Sequence, residues 1–321
     1  MAERVLVTGM LGCLGAWVAR CVLDDGDAAI GYDLSDDPSR LELVLGGDAG
    51  RVELVRGDIT DLASVEQVLD NRRITRVIHL AALQVPFVRA NPPLGMHVNV
   101  AGTVNVFDAV SRRLDRIPCV AYASSAAVYN PSDPSPAPES GGTRPATLYG
   151  VSKLADEGVA RVYRADAGVP SIGLRPYVVY GPGRDQGMTS GPTMAMLAAV
   201  RGEPFHIGFS GTAQYDYAPD VARAAVMAAH ATSETAAVYN VPGVLADVAD
   251  VVACVQAAVP EAEVTWSGDR LPFPPALEAI GFDREVGPFP RTSLDDGVAA
   301  TVAQFRRIHA SSRIDYDSGH D

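Results

Sequence analysis

Short apolar runs alternate with longer amphipathic segments through the first half of the chain. The short runs show no alternation of polar and apolar positions, which is typical of parallel strands with helices on both faces. Predicted strands cover residues 4–8, 28–32, 52–55, 76–80, 117–123 and 171–174, and predicted helices cover 12–25, 61–70, 94–114 and 148–167. Strands and helices that alternate at this spacing predict βαβ units. We therefore expect an α/β fold with a Rossmann-type, doubly wound parallel sheet.

The pattern changes after Gly181-Pro182-Gly183, where short elements separated by glycine and proline replace the regular alternation. One more helix is predicted near the C-terminus, at residues 293–308. We expect a first domain over residues 1–180, to which later segments return, a smaller C-terminal substrate-binding lobe over 181–310, and a flexible tail over 311–321.

Composition narrows the classes of function. Apolar residues make up 47% of the 321 positions and charged residues 20%, which excludes a disordered or coiled-coil chain. The net charge of −13 repels phosphate groups, so we expect neither nucleic acid nor an anionic membrane as a partner. The N-terminus runs directly into the first predicted strand, the four cysteines form no CxxC pair, and the six histidines are scattered. We therefore expect a cytoplasmic protein without a leader or a metal.

A glycine-rich turn joins the first predicted strand to the first predicted helix, with the sequence Thr8-Gly9-Met10-Leu11-Gly12-Cys13-Leu14-Gly15. In such a turn, Gly9 permits the tight bend, Gly12 lets the backbone approach a pyrophosphate, and Gly15 allows the helix to pack closely on the strand. The N–H groups at the helix start then attract the anion. The position between a strand and a helix makes this turn a strong signal for a dinucleotide site.

Carboxylates follow the next two predicted strands. Asp33 stands where it can accept hydrogen bonds from ribose hydroxyls and repel a 2′-phosphate, so we expect the first domain to bind NAD rather than NADP. Arg40 is the nearby base that favours the opposite choice, and an ordinary loop position is the alternative for Asp33. Asp58 can bind the adenine amino group, or it can cap the helix predicted from residue 61.

Tyr149 and Lys153 lie one turn apart on a predicted helix and therefore share one face. An ammonium group beside a phenol favours the phenolate, so Tyr149 can exchange a proton with a substrate hydroxyl while hydride moves to or from a nicotinamide. Ser125 follows the fifth predicted strand, at the end where parallel sheets bind ligands, and can hold the same hydroxyl. The alternatives are a packing ring, a solvated amine and a serine that satisfies the strand end.

These segments resemble the extended short-chain dehydrogenase/reductases, the NAD-dependent epimerase/dehydratase family. The matching pieces, in family order, are TGMLGCLG at 8–15, Asp33, GDI at 57–59, HLAA at 79–82, NPPLGMHVNVAGT at 91–103, YASSAAVY at 122–129, YGVSK at 149–153 and LRPYVVYGPG at 174–183. The resemblance implies that Ser125, Tyr149 and Lys153 are catalytic. The cofactor-binding residues that it implies are Gly9, Met10, Leu11, Gly12, Cys13, Leu14, Gly15, Asp33, Asp58, Ile59, Leu80, Ala81, Ala82, Asn99, Ser124, Tyr149, Lys153, Pro176 and Tyr177.

The chain departs from the family pattern at positions that distinguish the activities of the family. Ala126 and Ala127 stand where the similar dehydratases carry Asp-Glu after the catalytic hydroxyl residue, so we do not expect 4,6-dehydration. Val178 stands where nucleotide-sugar epimerases usually have an asparagine that contacts the substrate pyrophosphate. Residues 211–220 lack the arginine that grips the diphosphate in those enzymes, and Asp216 adds a negative charge there.

We therefore expect an NAD-dependent oxidoreductase that transfers hydride at a secondary alcohol of a sugar, a sugar acid or a similar polyol, with Tyr149 as general acid and base. One alternative is a nucleotide-sugar epimerase with tightly bound NAD, and another is a non-catalytic NAD-sensing protein. Arg184, Arg201 or Arg291 could supply the positive charge for an anionic group of the substrate instead.

The expected partners are a small polyhydroxylated substrate and a second copy of the chain. Residues expected to face the substrate are Gln84, Ser125, Ala126, Tyr149, Val178 and Met188. The predicted helices 94–114 and 148–167 have extensive apolar faces, and such helices form a dimer interface in related proteins. We therefore expect a homodimer.

Overall fold

The computed structural model describes residues 2–141, 143–288 and 291–311. The strands are β1 (Arg4–Thr8), β2 (Ala28–Asp33), β3 (Glu53–Arg56), β4 (Arg76–His79), β5 (Val120–Ala123), β6 (Ser171–Arg175), β7 (Val178–Tyr180), β8 (Phe205–Ile207), β9 (Thr212–Tyr217), β10 (Ala236–Asn240), β11 (Val244–Asp247) and β12 (Val264–Trp266). The helices are α1 (Cys13–Asp24), α2 (Ser39–Leu45), α3 (Leu62–Asn71), α4 (Val85–Ala90), α5 (Pro92–Met96), α6 (Gly102–Ser111), α7 (Leu148–Ala167), α8 (Gly191–Arg201), α9 (Ala218–His230), α10 (Val248–Ala258), α11 (Gly281–Glu285) and α12 (Leu294–Ser311). Gly46–Arg51 and Ala126–Val128 form 3-10 turns, and His97–Ala101 is a π-helical segment.

The main sheet contains seven parallel strands in the order β10-β6-β5-β4-β1-β2-β3. The chain moves outward from β1 to β3, crosses back, and continues from β4 toward the opposite edge. Helices α1 and α9 cover one face, and α3, α6 and α7 cover the other, so strands such as β1 and β6 are buried along nearly their whole length. The prediction of an α/β fold with a doubly wound parallel sheet is confirmed.

A smaller group of elements packs beside the main sheet. It contains a mixed sheet in the order β11-β9-β7 and a parallel pair of β8 and β12. Helices α8, α10 and α12 enclose the apolar core of this smaller group. Strand β7 precedes residue 181 but joins the smaller sheet, whereas α9 and β10 follow residue 181 but return to the main sheet. The chain therefore crosses between the two sheets more than once.

Several predicted elements differ in their bounds from the observed ones. The helix predicted over 94–114 is a run of α5, the π-helical segment and α6 that ends at Ser111. The strand predicted over 117–123 is shortened to β5, because Pro118 has no N–H to donate to a neighbouring strand. Helix α7 has its predicted bounds, since Thr147 caps its start by accepting from Gly150 N at 3.0 Å. The predicted tail lies outside the described residues beyond position 311.

The helices bear on two further expectations, which concern membranes and the homodimer. Within the described ranges, no helix is long and apolar enough to cross a membrane. Helix α7 exposes Leu148, Val151 and Val162, which form part of the apolar face expected at a dimer interface. The homodimer itself stays a prediction.

Asp216 lies inside the smaller sheet. Its side chain is 1% exposed, its Oδ2 accepts from the Tyr177 N–H, and its Oδ1 accepts from Gln214 Nε2 at 3.2 Å. The expectation that Asp216 adds a negative charge at the substrate is therefore wrong, because the carboxyl group is enclosed and fixes the chain just before β7. Burial raises the pKa of Asp216 to about 7, and the two hydrogen bonds oppose this rise only in part.

Replacement of Gly150 by alanine is expected to destabilise the fold by about 1–3 kcal/mol, because a Cβ there would lie 2.1 Å from the Ala127 carbonyl oxygen. Gly158→Ala on the same helix is the matched control, since a Cβ there meets nothing within 4 Å and alanine favours a helix by about 1 kcal/mol. Urea unfolding of both variants measures the difference. Equal stability of the two variants would contradict the close packing of α7 on the turn after β5.

The raised pKa of Asp216 predicts a pH dependence of stability. The folded protein holds this proton more tightly than the unfolded chain does, so the unfolding free energy falls as pH rises from about 4 to about 7. Asp216→Asn removes this loss, and its stability relative to the wild type should improve by up to about 1.4 kcal/mol per pH unit over that interval.

Urea unfolding at about pH 5 and about pH 8 gives the required double difference, in which the fixed local cost of the amide cancels. Asp36→Asn, at an exposed carboxylate, is the control and should show no such improvement. A relative stability of Asp216→Asn that is independent of pH contradicts the assignment.

Candidate active site

A cleft of about 770 Å³ runs along the carboxyl ends of the parallel strands. It lies where the chain leaves β1 toward β2 and leaves β4 toward β5 on the opposite side. Open α/β sheets bind ligands at this point because the loops on its two sides diverge. The predicted cofactor-binding residues that line the cleft are Gly9, Leu11, Gly12, Cys13, Leu14, Gly15, Asp33, Asp58, Ile59, Leu80, Ala81, Ala82, Ser124, Tyr149, Lys153, Pro176 and Tyr177.

Close approaches of the backbone explain two of the glycines in the turn after β1. Gly9 has a φ of +72°, and a Cβ there would lie 2.8 Å from Ala81 N in the loop after β4. A Cβ on Gly15 would lie 2.3 Å from the Gly9 carbonyl oxygen, so α1 could not pack as it does. Helix α1 begins after Gly12 without a side-chain cap and without an acidic residue in its first turn. Its N-terminal N–H groups are therefore suited to an anion.

Asp33 is fixed at the end of β2 beside the glycine turn. Its Oδ2 accepts from Leu11 N at 2.9 Å, and its Oδ1 accepts from Ser35 N at 3.0 Å. Arg40, the base that argued for NADP, is engaged by both carboxylate oxygens of Asp185, each 3.0 Å from its Nε. This ion pair opposes the use of Arg40 as a partner for a 2′-phosphate.

Asp58 does not cap the helix that follows it. The cap of α3 is Asp61, whose side chain accepts from Ser64 N. The Asp58 carboxylate accepts from the backbone N–H and the hydroxyl of Thr60, both at 2.8 Å, and it faces the cleft. The capping alternative for Asp58 is therefore wrong, and the expected contact with an adenine stays a prediction.

Two residues expected at the cofactor lie behind the cleft. Met10 is fully buried and packs against Gly31 on β2, so its side chain points from the glycine turn into the core. Asn99 is also fully buried, in the π-helical segment. Its amide accepts from Leu83 N at 2.7 Å and donates to the Leu83 carbonyl at 3.0 Å and to the Ser152 hydroxyl at 3.1 Å. Asn99 therefore ties the loop after β4 to α7, which corrects its assignment to the cofactor-binding residues.

The three expected catalytic residues, Ser125, Tyr149 and Lys153, line the same cleft. Ser125 starts the 3-10 turn after β5, and its Oγ accepts from Ala127 N at 3.1 Å. Lys153 is 3% exposed, which excludes the solvated-amine alternative. Its Nζ donates to the carbonyl of Ala123, the last residue of β5, at 2.9 Å.

Lys153 also donates to Asp156 Oδ2 at 3.2 Å, one turn further along α7. Burial on its own lowers the pKa of Lys153, but the Asp156 carboxylate together with Tyr149 and Glu157 outweighs this effect, so the pKa is raised above its usual value. The lysine is therefore an ammonium in the folded protein at neutral pH.

A buried ion pair holds the strand end that carries Ser124. The Ser124 hydroxyl donates to Glu157, which binds Arg175 through two hydrogen bonds of 2.7 Å. Arg175 also donates to the Tyr129 hydroxyl at 2.6 Å and to the Glu139 carbonyl at 3.0 Å. This network connects α7, β6 and the loop after β5, so the position of the turn that carries Ser125 depends on all three elements.

The expected substrate-binding residues divide into two groups. Gln84, Ser125, Tyr149 and Met188 line the cleft. Ala126 and Val178 do not, because both are buried in the apolar core of the smaller group of elements. Adjacent residues of a strand point to opposite faces, and Val179 faces the cleft in place of Val178.

Of the three arginines considered for an anion site, Arg184 lines the cleft. Its Nη1 donates to Gln84 Oε1 at 3.2 Å and its Nη2 to Thr189 Oγ1 at 3.3 Å, while its buried Nε has no partner within the described ranges. Arg201 lies in the last turn of α8, and Arg291 forms an ion pair with Asp283.

Sequence reasoning missed two contributors to the site. Phe273 lies in a proline-rich stretch that carries no motif, yet its ring meets the Tyr177 ring edge-on at 5.7 Å and borders the cleft. Asp156 lies three residues after Lys153, and this spacing on one helical face was the signal that could have found it. Within the part of the chain that the structure describes, no group of three or more acidic, cysteine and histidine side chains is arranged to hold a metal ion.

Comparisons with known proteins agree with this arrangement. Among curated proteins, UDP-glucuronate 4-epimerase 1 of Arabidopsis thaliana is 34% identical over 228 residues, which are 67% of this chain and 51% of that relative. The chain spans about half the length of such plant relatives. UDP-glucose 4-epimerase of Mycolicibacterium smegmatis is 29% identical over 319 residues, covering 94% of this chain and 98% of that protein.

Solved structures and a family model are also similar to this chain. The structure of MoeE5 in complex with UDP-glucuronic acid and NAD is 28% identical, with a TM-score of 0.80 over 95% of this chain and 99% of its own. UDP-glucose 4-epimerase of Thermus thermophilus, in complex with NAD, is 27% identical with a TM-score of 0.82 over the same shares. The model of the NAD dependent epimerase/dehydratase family matches residues 5–241. With the glycine turn, the Ser-Tyr-Lys set and this match in agreement, the chain belongs to the NAD dependent epimerase/dehydratase family.

Proposed function

We propose that this protein epimerises a nucleotide-linked sugar by reversible, NAD-dependent oxidation of one secondary alcohol. The observation that carries the proposal is that Ser125, Tyr149 and Lys153 line the same cleft as the glycine turn and Asp33. A relative that this chain matches over nearly its whole length is named as a UDP-glucose 4-epimerase, which supports a nucleotide sugar. The carboxylate of Asp33 and the Arg40–Asp185 pair support NAD rather than NADP.

The chain's own residues provide proton transfer and orientation in this reaction. Bound NAD would supply the hydride acceptor. Tyr149 takes the proton of the substrate hydroxyl, and the Lys153 ammonium stabilises the phenolate form that accepts it. Ser125 accepts from Ala127 N, so its own hydroxyl hydrogen can be donated to the substrate oxygen. Return of the proton from Tyr149, with hydride delivered to the opposite face of the carbon, inverts that centre.

We extend the proposal to a sugar that carries a carboxylate. Arg184 brings a guanidinium group into the cleft, held by Gln84 and Thr189, with an Nε that the described residues leave without a partner. Such a planar donor matches the geometry of a carboxylate, as it does that of a phosphate, and can bind it through two parallel hydrogen bonds. Several relatives are named as UDP-glucuronate 4-epimerases, which supports the same substrate class.

A second candidate is net NAD-dependent oxidation of a free sugar acid. It is favoured by the smaller sheet, where residues 211–220 supply no arginine and Val178 is buried, so neither of these two places offers a group to bind a diphosphate. The two candidates differ in their products. Interconversion of two UDP-sugars without net NADH supports the epimerase, and stoichiometric NADH from a free sugar acid supports the dehydrogenase.

Replacement of Tyr149 by phenylalanine is expected to reduce kcat on UDP-glucuronate at least about 100-fold, because the proton acceptor is lost. NAD should still bind, since the glycine turn and Asp33 are untouched. Proton NMR of the sugar mixture measures turnover, and calorimetry measures the dissociation constant of NAD. Tyr163→Phe, further along α7 and packed on Phe107, is the control and should retain activity. Undiminished turnover by Tyr149→Phe would refute the mechanism.

Replacement of Arg184 by glutamine is expected to raise KM for UDP-glucuronate about tenfold or more, because a charge-assisted hydrogen bond contributes about 1.5–3 kcal/mol. KM for UDP-glucose should change little, and Arg184→Lys should restore part of the difference. Arg201→Gln, outside the cleft, is the control for a lost charge. Equal losses on both UDP-sugars, together with weaker NAD binding, would instead assign Arg184 to the cofactor pyrophosphate.

A further inference from the structure

Asp156 is a buried carboxylate that the proposed mechanism does not use. Its side chain is 1% exposed, and its Oδ2 lies 3.2 Å from Lys153 Nζ. The other hydrogen bond of the ammonium, of 2.9 Å, goes to the Ala123 carbonyl at the end of β5. The lysine that supports Tyr149 is therefore held between a strand end and a carboxylate on its own helix.

Besides Lys153, the Thr103 hydroxyl is the neighbouring side-chain donor that favours the ionised form of Asp156, although its hydrogen is also directed at another group. The Thr103 hydroxyl donates its hydrogen to the Asn99 carbonyl oxygen at 2.6 Å. In its second contact, of 3.0 Å with His79 Nε2, the same hydroxyl therefore accepts. The second carboxylate oxygen, Asp156 Oδ1, is buried and has no hydrogen-bond partner among the residues that the structure describes. The charge of this carboxylate is therefore balanced through Lys153.

The charged and polar groups around the ammonium come from four elements. They are Asp156, Glu157 and Tyr149 on α7, His79 on β4, the Ala123 carbonyl on β5 and Thr103 on α6. His79 is neutral, because burial lowers its pKa to about 3. Glu157 is engaged by Arg175 at both oxygens. Asp156 is thus the carboxylate whose charge acts on the lysine without another cation to balance it.

A carboxylate next to an ammonium weakens the effect of that ammonium on a neighbouring phenol. We propose that Asp156 is a positioning residue that holds the Lys153 ammonium against β5 and offsets its charge, and that it thereby sets the pH range in which Tyr149 acts as a base. The inference rests on the proposed role of Tyr149 as the proton acceptor. It does not depend on which sugar is the substrate.

The test is a pH titration of the Tyr149 phenol by its ultraviolet absorbance in NAD-loaded protein, with the spectrum of the matching Tyr149→Phe variant subtracted. Asp156→Asn is expected to lower the midpoint of this titration by about one pH unit, because the lysine charge then acts on the phenol without opposition. Asp166→Asn, at an exposed carboxylate on the same helix, is the control and should leave the midpoint unchanged. Asp156→Glu keeps the charge and should also stay near the wild-type midpoint.

An unchanged midpoint in Asp156→Asn overturns the proposal, and so does a rise, which would mean that Asp156 acts only by keeping Lys153 protonated. A shift of equal size in Asp156→Glu also overturns it, since charge would not be the cause. If Asp156→Asn does not fold, Asp156→Ser is measured with the same expectation. Because the titration uses no substrate, failure of the wild type to turn over UDP-sugars refutes the proposed function and leaves this result to be judged separately.

Discussion

The close approach of helix α7 to the end of β5 is the constraint on which the rest of the site depends. Gly150 lies so near the Ala127 carbonyl that no side chain fits between them, and one turn later Lys153 Nζ reaches the Ala123 carbonyl. Two elements that are distant in sequence are thereby fixed against each other through backbone atoms. Ser125 on the turn and Tyr149 on the helix consequently share a cleft, without any direct bond between their own side chains being needed to hold them there.

This approach brings an unusual number of charges into the interior. Lys153, Asp156, Glu157 and Arg175 all have side chains that are at most 9% exposed, and they form two adjacent ion pairs. Buried ion pairs rarely stabilise a fold more than apolar side chains of similar volume would, because desolvation offsets their attraction. Their value here is geometric. The Glu157–Arg175 pair holds the strand end through Ser124, and the Lys153–Asp156 pair holds the ammonium, so each pair fixes a different part of the proposed catalytic set.

Local sequence signals were sufficient for the half of the molecule built from βαβ units. The glycine turn and the alternation of apolar runs with amphipathic segments predict the sheet, the start of α1 and the bounds of α7, because each depends on neighbouring residues. The directions of individual side chains were harder to predict from the sequence. Met10, Asn99 and Val178 each lie within a matching motif but point into the interior, and this depends on elements that pack against them from elsewhere in the chain. The π-helical segment that carries Asn99 has no signature in the pattern of apolar positions.

The wall of the cleft that is expected to face the substrate was the hardest part to predict from the sequence, for a physical reason. The side of the cleft expected to bind the cofactor is assembled from strand ends, each with a local motif. The opposite wall combines Gln84 after β4, Arg184 after β7 and Phe273 from a proline-rich stretch, and no periodicity relates these three positions. Their juxtaposition arises because the chain leaves the main sheet after β6 and enters the smaller sheet as β7, which brings Arg184 to the loop after β4. Family membership therefore follows from contiguous motifs, whereas the proposed substrate rests on a wall that only the folded chain assembles. For that reason the charge of Arg184 carries more weight in the proposal than the buried side chains of Val178 and Asp216.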